Sequence, residues 1–237
     1  MDDVDISLVI PVYNEEESLP VLMAEIDDEM ALHKNYEVIF IDDGSSDRSL
    51  KTLIGLKEKY PRIRVIKLRS RSGQTSAMDA GFRRARGNVV ITMDADLQND
   101  PADINKLLSE LDEYDIVIGW RADREDTWVK RMSSRIANLV RNRITEEDIK
   151  DVGCTLKAYK REFLERVKLY NGMHRFLPTL FKMEGARVRE VKVNHRPRRY
   201  GKSKYNIRNR LFNSIYDLLA VRWMKRRRLT YEIEEEF

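Results

Sequence analysis

One cysteine, Cys154, is all that the 237 residues contain. A disulfide framework is therefore excluded and nothing points to an oxidising compartment; a buried thiol is the expected state of Cys154. Long apolar sequence is missing as well. No run approaches the roughly 18 residues that cross a bilayer, and no charged segment followed by an apolar one opens the chain, so neither a transmembrane helix nor a signal peptide is expected. The Gly-x-Gly-x-x-Gly turn and the lysine-bearing phosphate loop are absent, which removes nicotinamide and P-loop ATP chemistry. Helix-turn-helix, zinc and RNA-recognition signatures are absent too, and aromatic residues do not alternate with basic ones in a stacking array. A basic nucleic-acid-binding module is the competing class, but no nucleic-acid partner is expected.

What is present starts with 42% hydrophobic residues, enough for a sizeable core, and a net charge of +4 that is unevenly spread. From Ala186 to Arg228 there are 15 Lys and Arg against Glu190 and Asp217, or +13, which leaves 4 − 13 = −9 for everything else. A segment so basic calls for an anionic partner: phosphate, acidic lipid headgroups or nucleic acid.

Short apolar runs alternate with amphipathic stretches. Ile6-Ser7-Leu8-Val9-Ile10 predicts a strand, and Leu19, Leu22, Met23, Ile26 and Met30 share one face of a following helix. Val38-Ile39-Phe40-Ile41, a helix over 47–59, Val65-Ile66-Lys67-Leu68, a helix over 73–86 and Val89-Val90-Ile91-Thr92-Met93 continue the pattern. Strands alternating with helices of this length predict an α/β fold with a mostly parallel sheet flanked by helices, whose ligand crosses the carboxyl ends of the strands. Three of those ends are unusually polar: Tyr13-Asn14-Glu15, Asp42-Asp43-Gly44 and Asp94-Ala95-Asp96. Any one of them taken singly reads better as a turn than as a site, and Asp94-Ala95-Asp96 on its own equally as a solvated acidic cap or a divalent-metal site. Their recurrence on successive strands favours a site where carboxylates accept hydrogen bonds from a nucleobase or ribose while an aspartate pair holds Mg²⁺ or Mn²⁺ on a diphosphate.

Pro11-Val12-Tyr13-Asn14-Glu15, Asp42-Asp43-Gly44-Ser45-Ser46-Asp47 and Asp94-Ala95-Asp96-Leu97-Gln98 resemble the successive motifs of family 2 inverting glycosyltransferases of the GT-A fold. Gly119-Trp120-Arg121, the segment from Trp128 to Arg135, Met173-His174-Arg175-Phe176-Leu177-Pro178 and the segment from His195 to Tyr205 resemble the polyprenyl-phosphate branch, which includes dolichol-phosphate mannose synthases and undecaprenyl-phosphate glucosyltransferases. The resemblance implies a UDP- or GDP-sugar donor, a polyprenyl (dolichyl or undecaprenyl) phosphate acceptor, and a peripheral enzyme on the cytoplasmic face of the membrane. Residue by residue it implies Asp94, Asp96 and Gln98 as metal ligands; Pro11, Tyr13, Glu15, Asp42 and Asp43 around the nucleoside; and Arg121, Arg131 and Ser134 on the acceptor phosphate or departing diphosphate. Asp151 falls where relatives carry an aspartate of the catalytic region, read here as positioning the acceptor or its arginines, with a base role open. Where many relatives have Asn before a glycine, this chain has Arg71-Ser72-Gly73.

Transfer to a sugar hydroxyl of a polysaccharide, the alternative among enzymes, wants a general base, and a phosphate acceptor changes that need. Its second pKa is about 6, so near neutrality it is mostly a dianionic nucleophile, and the protein must neutralise and align two anions more than remove a proton. Asp96, Asp151, Arg121 and Arg131 are the residues expected to carry that work. Arg199, Lys202 and Ser203, in a loop over 195–205 where Pro197 blocks helix, are further candidates for phosphate contacts. The catalytic domain is expected over 1–205, a basic amphipathic helix lying on an anionic membrane surface over 206–228, and an acidic tail over 229–237. The stretch 129–143 reads either as a surface helix over the core or as a second element facing lipid.

Overall fold

The computed structural model describes residues 4–122, 142–143, 148–200, 207–229, 231 and 234–235, with the backbone alone over 207–215. One seven-stranded sheet organises them: β1 (Ile6–Val12), β2 (Tyr36–Asp42), β3 (Ile63–Lys67), β4 (Val89–Thr92), β5 (Ile116–Trp120), β6 (Lys157–Lys160) and β7 (Val188–Lys192), in the order β3-β2-β1-β4-β6-β5-β7. All pairings are parallel except those of β6, which runs antiparallel to both β4 and β5. The carboxyl ends of six strands therefore meet the amino end of β6 along one edge.

The strand period of two sorts the core into two layers. Leu8, Ile10 and Val12 of β1 and Val38 and Phe40 of β2 face the helix α1 (Leu19–Glu29), where Leu19, Leu22, Met23 and Ile26 are fully buried. Val9, Ile39 and Ile41 face the other way, onto Ala77, Met78 and Phe82 of α3 (Gln74–Phe82) and Phe181 of α6 (Leu177–Met183). Residues buried on both faces explain the uninterrupted apolar runs in the sequence. The remaining helices are α2 (Ser49–Lys59), α4 (Ile104–Leu108), α5 (Arg161–Arg166) and α7 (Ile207–Arg227).

Helix α3 ends at Phe82 rather than at 86. The N–H of Arg86 donates to Glu37 at 2.8 Å and to the Ser7 hydroxyl at 3.1 Å, and that of Gly87 to Ser7 at 2.9 Å, so donors that would continue the helix are taken by buried groups of β1 and β2. The expected element over 129–143 lies almost wholly outside the described residues. The C-terminal helix forms, and it is docked: Leu218 and Val221 are buried against Met173, Phe176 and Leu180. Its other face exposes Tyr216, Leu219 and Trp223 beside Lys225, Arg226 and Arg227. Gly172, at φ +87°, lies under this helix, where a Cβ would run into the Asp217 carboxylate. Among the described residues no helix is long and apolar enough to cross a membrane.

Candidate active site

The acidic strand ends converge along the carboxyl edge of β1, β2 and β4. Pro11 and Val12 close β1 in register with Ile41 and Asp42 of β2. Asp42 is buried and accepts from the N–H of Ser45 at 3.2 Å. Asp43 turns away: its two oxygens accept from the N–H groups of Ser72, at 2.6 Å, and Gly73, at 2.9 Å. It thereby fixes the Arg71-Ser72-Gly73 turn that opens α3, the stretch where the sequence departs from the family pattern. Gly44, at φ +69°, lets this turn pass close, since a Cβ would come within 2.7 Å of the Arg71 nitrogen. The guanidinium of Arg71 lies over the Tyr13 ring, 4.2 Å from its centre, so the departure supplies a cation stacked on the aromatic residue at the end of β1.

The turn after β4 is tighter. Leu97 is buried at φ +64°, a conformation leucine adopts only under strain, and strain of this kind gathers at functional sites. Asn99 ties the turn by accepting from the Asp94 N–H at 3.1 Å and from the Thr155 hydroxyl at 3.0 Å. Asp94 is half-buried, and its Oδ1 accepts from the Gln74 side chain at 3.1 Å. Asp96 Oδ1 accepts from the Gln98 N–H at 3.1 Å, and Oδ2 from Nη2 of Arg198 at 2.5 Å. Burial, and next the charge of Asp96, pushes the Asp94 carboxyl up to about 6, against the opposing influence of Thr155, Lys157 and Arg121.

Two carboxylates close enough for the charge of Asp96 to raise the proton affinity of Asp94, in a turn that also carries the amide oxygen of Gln98, form a hard oxygen donor set suited to Mg²⁺ or Mn²⁺. Among the described residues no three His, Cys, Asp or Glu side chains gather to cage a metal on their own. An ion on Asp94 and Asp96 would therefore complete its shell with water and substrate phosphate, the usual habit of Mg²⁺.

Across the edge, Arg121 follows β5 and is clamped by Asp151: Nε to Oδ2 at 2.7 Å and Nη2 to Oδ1 at 2.9 Å, with the Arg121 N–H adding a longer contact at 3.3 Å. Burial lowers the arginine's proton affinity, but the Asp151 hydrogen bonds overcome it and hold Arg121 charged well above the usual range. Asp151 is held in turn by Glu190 of β7, which accepts from its N–H at 3.1 Å. Asp151 thereby fixes the direction of the Arg121 guanidinium. Behind them Lys157 is buried and donates to the carbonyls of Cys154 and, at 3.3 Å, Val152, which fixes the loop from 151 to 155. Cys154 is fully buried as expected, and burial pushes its thiol up to about 11.

The structure brings Glu15, Asp94, Asp96, Gln98, Arg121 and Asp151 to one edge and leaves Arg199 exposed at its rim. Arg131, Ser134, Lys202 and Ser203 lie outside the described residues. Several site residues escaped sequence reading. Gln74, Asn99, Thr155 and Lys157 support the aspartates and the Asp151 loop from three segments, the start of α3, the turn after β4 and the stretch leading into β6, and nothing in their local spacing marks them. Arg196 and Arg198 had a signal, the density of arginine after His195. The structure shows that this segment lies along the metal-site turn, with Asn99 bridged to His195 and the Arg196 N–H donating to the Gln98 carbonyl at 3.0 Å. His174, of the Met173–Pro178 motif, bonds Thr75 at the start of α3, 2.7 Å away.

Comparison with known proteins bears on the family and the fold. The chain is 39% identical over 236 residues to a dodecaprenyl-phosphate galacturonate synthase of Rhizobium johnstonii, covering 95% of this chain and 69% of that one. It is 41% identical over 218 residues to an undecaprenyl-phosphate 4-deoxy-4-formamido-L-arabinose transferase of Serratia proteamaculans, covering 91% and 67%. Among solved structures, glucosyl-3-phosphoglycerate synthase of Mycobacterium tuberculosis with Mn²⁺, UDP and phosphoglyceric acid superimposes with a TM-score of 0.72 at 18% identity, over 96% of this chain and 80% of that one. A mannosyltransferase of Pyrobaculum calidifontis with GDP-Man and Mn²⁺ gives 0.64 at 18% identity, over 96% and 65%. These likenesses show the GT-A fold. The family model of glycosyl transferase family 2 matches residues 7–168, and with relatives of this identity and coverage the chain belongs to that family.

Proposed function

We infer that this glycosyltransferase moves a sugar, with inversion, from a nucleotide-diphospho-sugar to a polyprenyl phosphate. The observation that carries the reading is the opposition of two anion-handling groups across one strand edge: the Asp94 and Asp96 carboxylates on the β4 side and the Asp151-clamped Arg121 on the β5 side. The names of the two curated relatives, both polyprenyl-phosphate sugar enzymes, support the acceptor class.

In this reading an oxygen of the lipid phosphate attacks the anomeric carbon. The bond from that carbon to the diphosphate breaks, and its electron pair leaves with the nucleoside diphosphate. The phosphate is already dianionic near neutral pH, so no protein base is required. Asp94, Asp96 and Gln98 would hold a divalent ion, which when bound supplies charge neutralisation to the leaving diphosphate. Arg121 is aimed by Asp151 at the incoming phosphate, Tyr13 and Arg71 border the nucleoside with Asp42, and Gln74 orients Asp94. Preset charges of this kind lower the barrier because they need no reorganisation during the reaction.

The exposed side of α7, with Tyr216, Leu219 and Trp223 beside the run Lys225-Arg226-Arg227-Arg228, fits an anionic bilayer surface, each basic residue adding about 1 kcal/mol of attraction. The lone buried thiol suits the reducing, cytoplasmic side. Incubation with Mn²⁺, labelled UDP- and GDP-sugars and a polyprenyl phosphate, followed by organic extraction, tests the reaction; label that stays in the aqueous phase with every donor overturns the lipid acceptor. Co-sedimentation with anionic but not neutral vesicles, reversed by high salt, tests the surface.

A further inference from the structure

Asp96 already holds a cation of the protein's own. Arg198 Nη2 lies 2.5 Å from Asp96 Oδ2, and Arg198 Nη1 lies 3.7 Å from Glu15 Oε1, so a single guanidinium spans the acidic ends of β1 and β4. Both carboxylates are shielded, with side-chain exposures of 8% and 10%, while Arg198 retains 26%. The backbone beneath is pinned separately. Arg196 bridges Glu25 and Asp100 at 2.6 Å each, and its N–H donates to the Gln98 carbonyl. The Arg198 side chain can therefore turn without carrying the chain along.

A divalent ion held by Asp96 would take a carboxylate oxygen as a direct ligand. A guanidinium nitrogen bonded to the same oxygen would then press one cation against another, and the two exclude each other. We propose that Arg198 is the resting cation of Asp96. It competes with a divalent metal that arrives alone and, when displaced by metal together with nucleotide, turns its planar fork onto the donor diphosphate. The inference rests on Asp94 and Asp96 being the metal ligands of the proposed function. Its consequence is a sign change at one residue: Arg198 hinders bare metal and favours the metal–nucleotide pair. A donor-independent metal would be loaded poorly, and Arg198 would become available when diphosphate oxygens enter, for which its bidentate geometry is matched.

The test uses the full chain and Mn²⁺, whose free-ion electron paramagnetic resonance signal reports unbound metal. Titrations are run without nucleotide, then with saturating UDP and, in parallel, GDP. Arg198→Ala is expected to bind bare Mn²⁺ about tenfold more tightly than the parent, and Mn²⁺ with the nucleotide that promotes binding about tenfold more weakly, the equilibrium worth of one charged hydrogen bond. Arg198→Gln, which keeps the length and removes the charge, should change both affinities in the same two directions and guards against a folding defect in the alanine variant. Weaker binding in both conditions, or unchanged binding of bare metal, overturns the proposal and leaves the metal site standing. Mn²⁺ binding that Asp96→Asn does not weaken removes the metal-site reading itself, and the proposal with it.

Discussion

Asp42-Asp43 and Asp94-Ala95-Asp96 look alike as sequence, two acidic ends of the parallel strands that flank β1, yet the fold uses them differently. Asp43 is saturated by main chain: the N–H groups of Ser72 and Gly73 take both its oxygens. Asp94 Oδ1 and Asp96 Oδ2 meet side chains, Gln74 and Arg198, that can turn away when a ligand arrives, while Asp96 Oδ1 keeps the Gln98 N–H. Backbone donors fixed by a helix start make a carboxylate part of the scaffold; side-chain donors leave it exchangeable. A strained Leu97 between the exchangeable pair and Gln98, with no comparable non-glycine strain at Gly44, marks the same division.

The contrast is broken most sharply by exchanging one charge at each place. Asp96→Asn removes a metal-binding oxygen charge and is expected to lower sugar transfer by about 10³-fold or more, the scale on which metal stabilises a leaving diphosphate, while the thermal midpoint stays near that of the parent. Asp43→Ala leaves two backbone N–H groups without their acceptor and should cost about 1–3 kcal/mol of stability for each that stays buried, lowering the midpoint by several degrees. Transfer assays and melting curves on both variants decide it. If Asp43→Ala abolishes transfer at unchanged stability, the division between scaffold and site fails.

Gly44→Ala probes the scaffold side alone. The new methyl would lie 2.7 Å from the Arg71 nitrogen at a φ of +69°, so the cost combines strain with displacement of the Arg71-Ser72-Gly73 turn, about 1–3 kcal/mol. Because Arg71 stacks on Tyr13, nucleotide affinity should weaken along with stability, whereas metal affinity measured without nucleotide should not change. A variant that melts like the parent would show that the turn is held by less than its contacts imply.

The fold was largely legible from period and punctuation. Runs such as Val38–Ile41 declared strands buried on both faces, and the helix faces of Leu19, Leu22, Met23 and Ile26 lie where their spacing put them. The antiparallel β6 was not legible, because Lys157-Ala158-Tyr159-Lys160 is short and flanked by charge; Lys157 is buried by the carbonyls it binds, which no local pattern encodes. At the site, the acidic strand ends were legible as chemistry and their division of labour was not, since it depends on which distant donors reach each oxygen. Arg198 shows this most clearly, meeting Asp96 from 102 positions away. A C-terminal helix was expected from the sequence, while the docking of Leu218 and Val221 depends on the surface formed by Met173, Phe176 and Leu180.

Asp115 sharpens the comparison with the smallest expected effect. It too is met by side chains, Lys160 at 2.9 Å and Arg187 at 3.2 Å, but it also accepts from the Arg187 N–H at 2.9 Å and lies at the amino end of β5, the edge opposite the site. If exchangeable donors alone defined a site, Asp115 would qualify; its place in the sheet assigns it instead to joining β5, β6 and β7. Burial raises its proton affinity, but the hydrogen bonds from Arg187 and Lys160 outweigh burial and hold the carboxyl well below the usual range. A depressed carboxyl contributes stability that is present in full above its unfolded pKa of about 3.9 and is lost as pH falls through the lower folded value. Asp115→Asn should therefore cost on the order of 1 kcal/mol near neutral pH, leave transfer unchanged, and reduce the loss of stability below about pH 4. Urea midpoints of parent and variant that converge on acidification, with equal transfer rates at neutral pH, are the expected result. A drop in transfer without a drop in stability would place this far-edge carboxylate among the functional groups and undo the rule drawn from the other two.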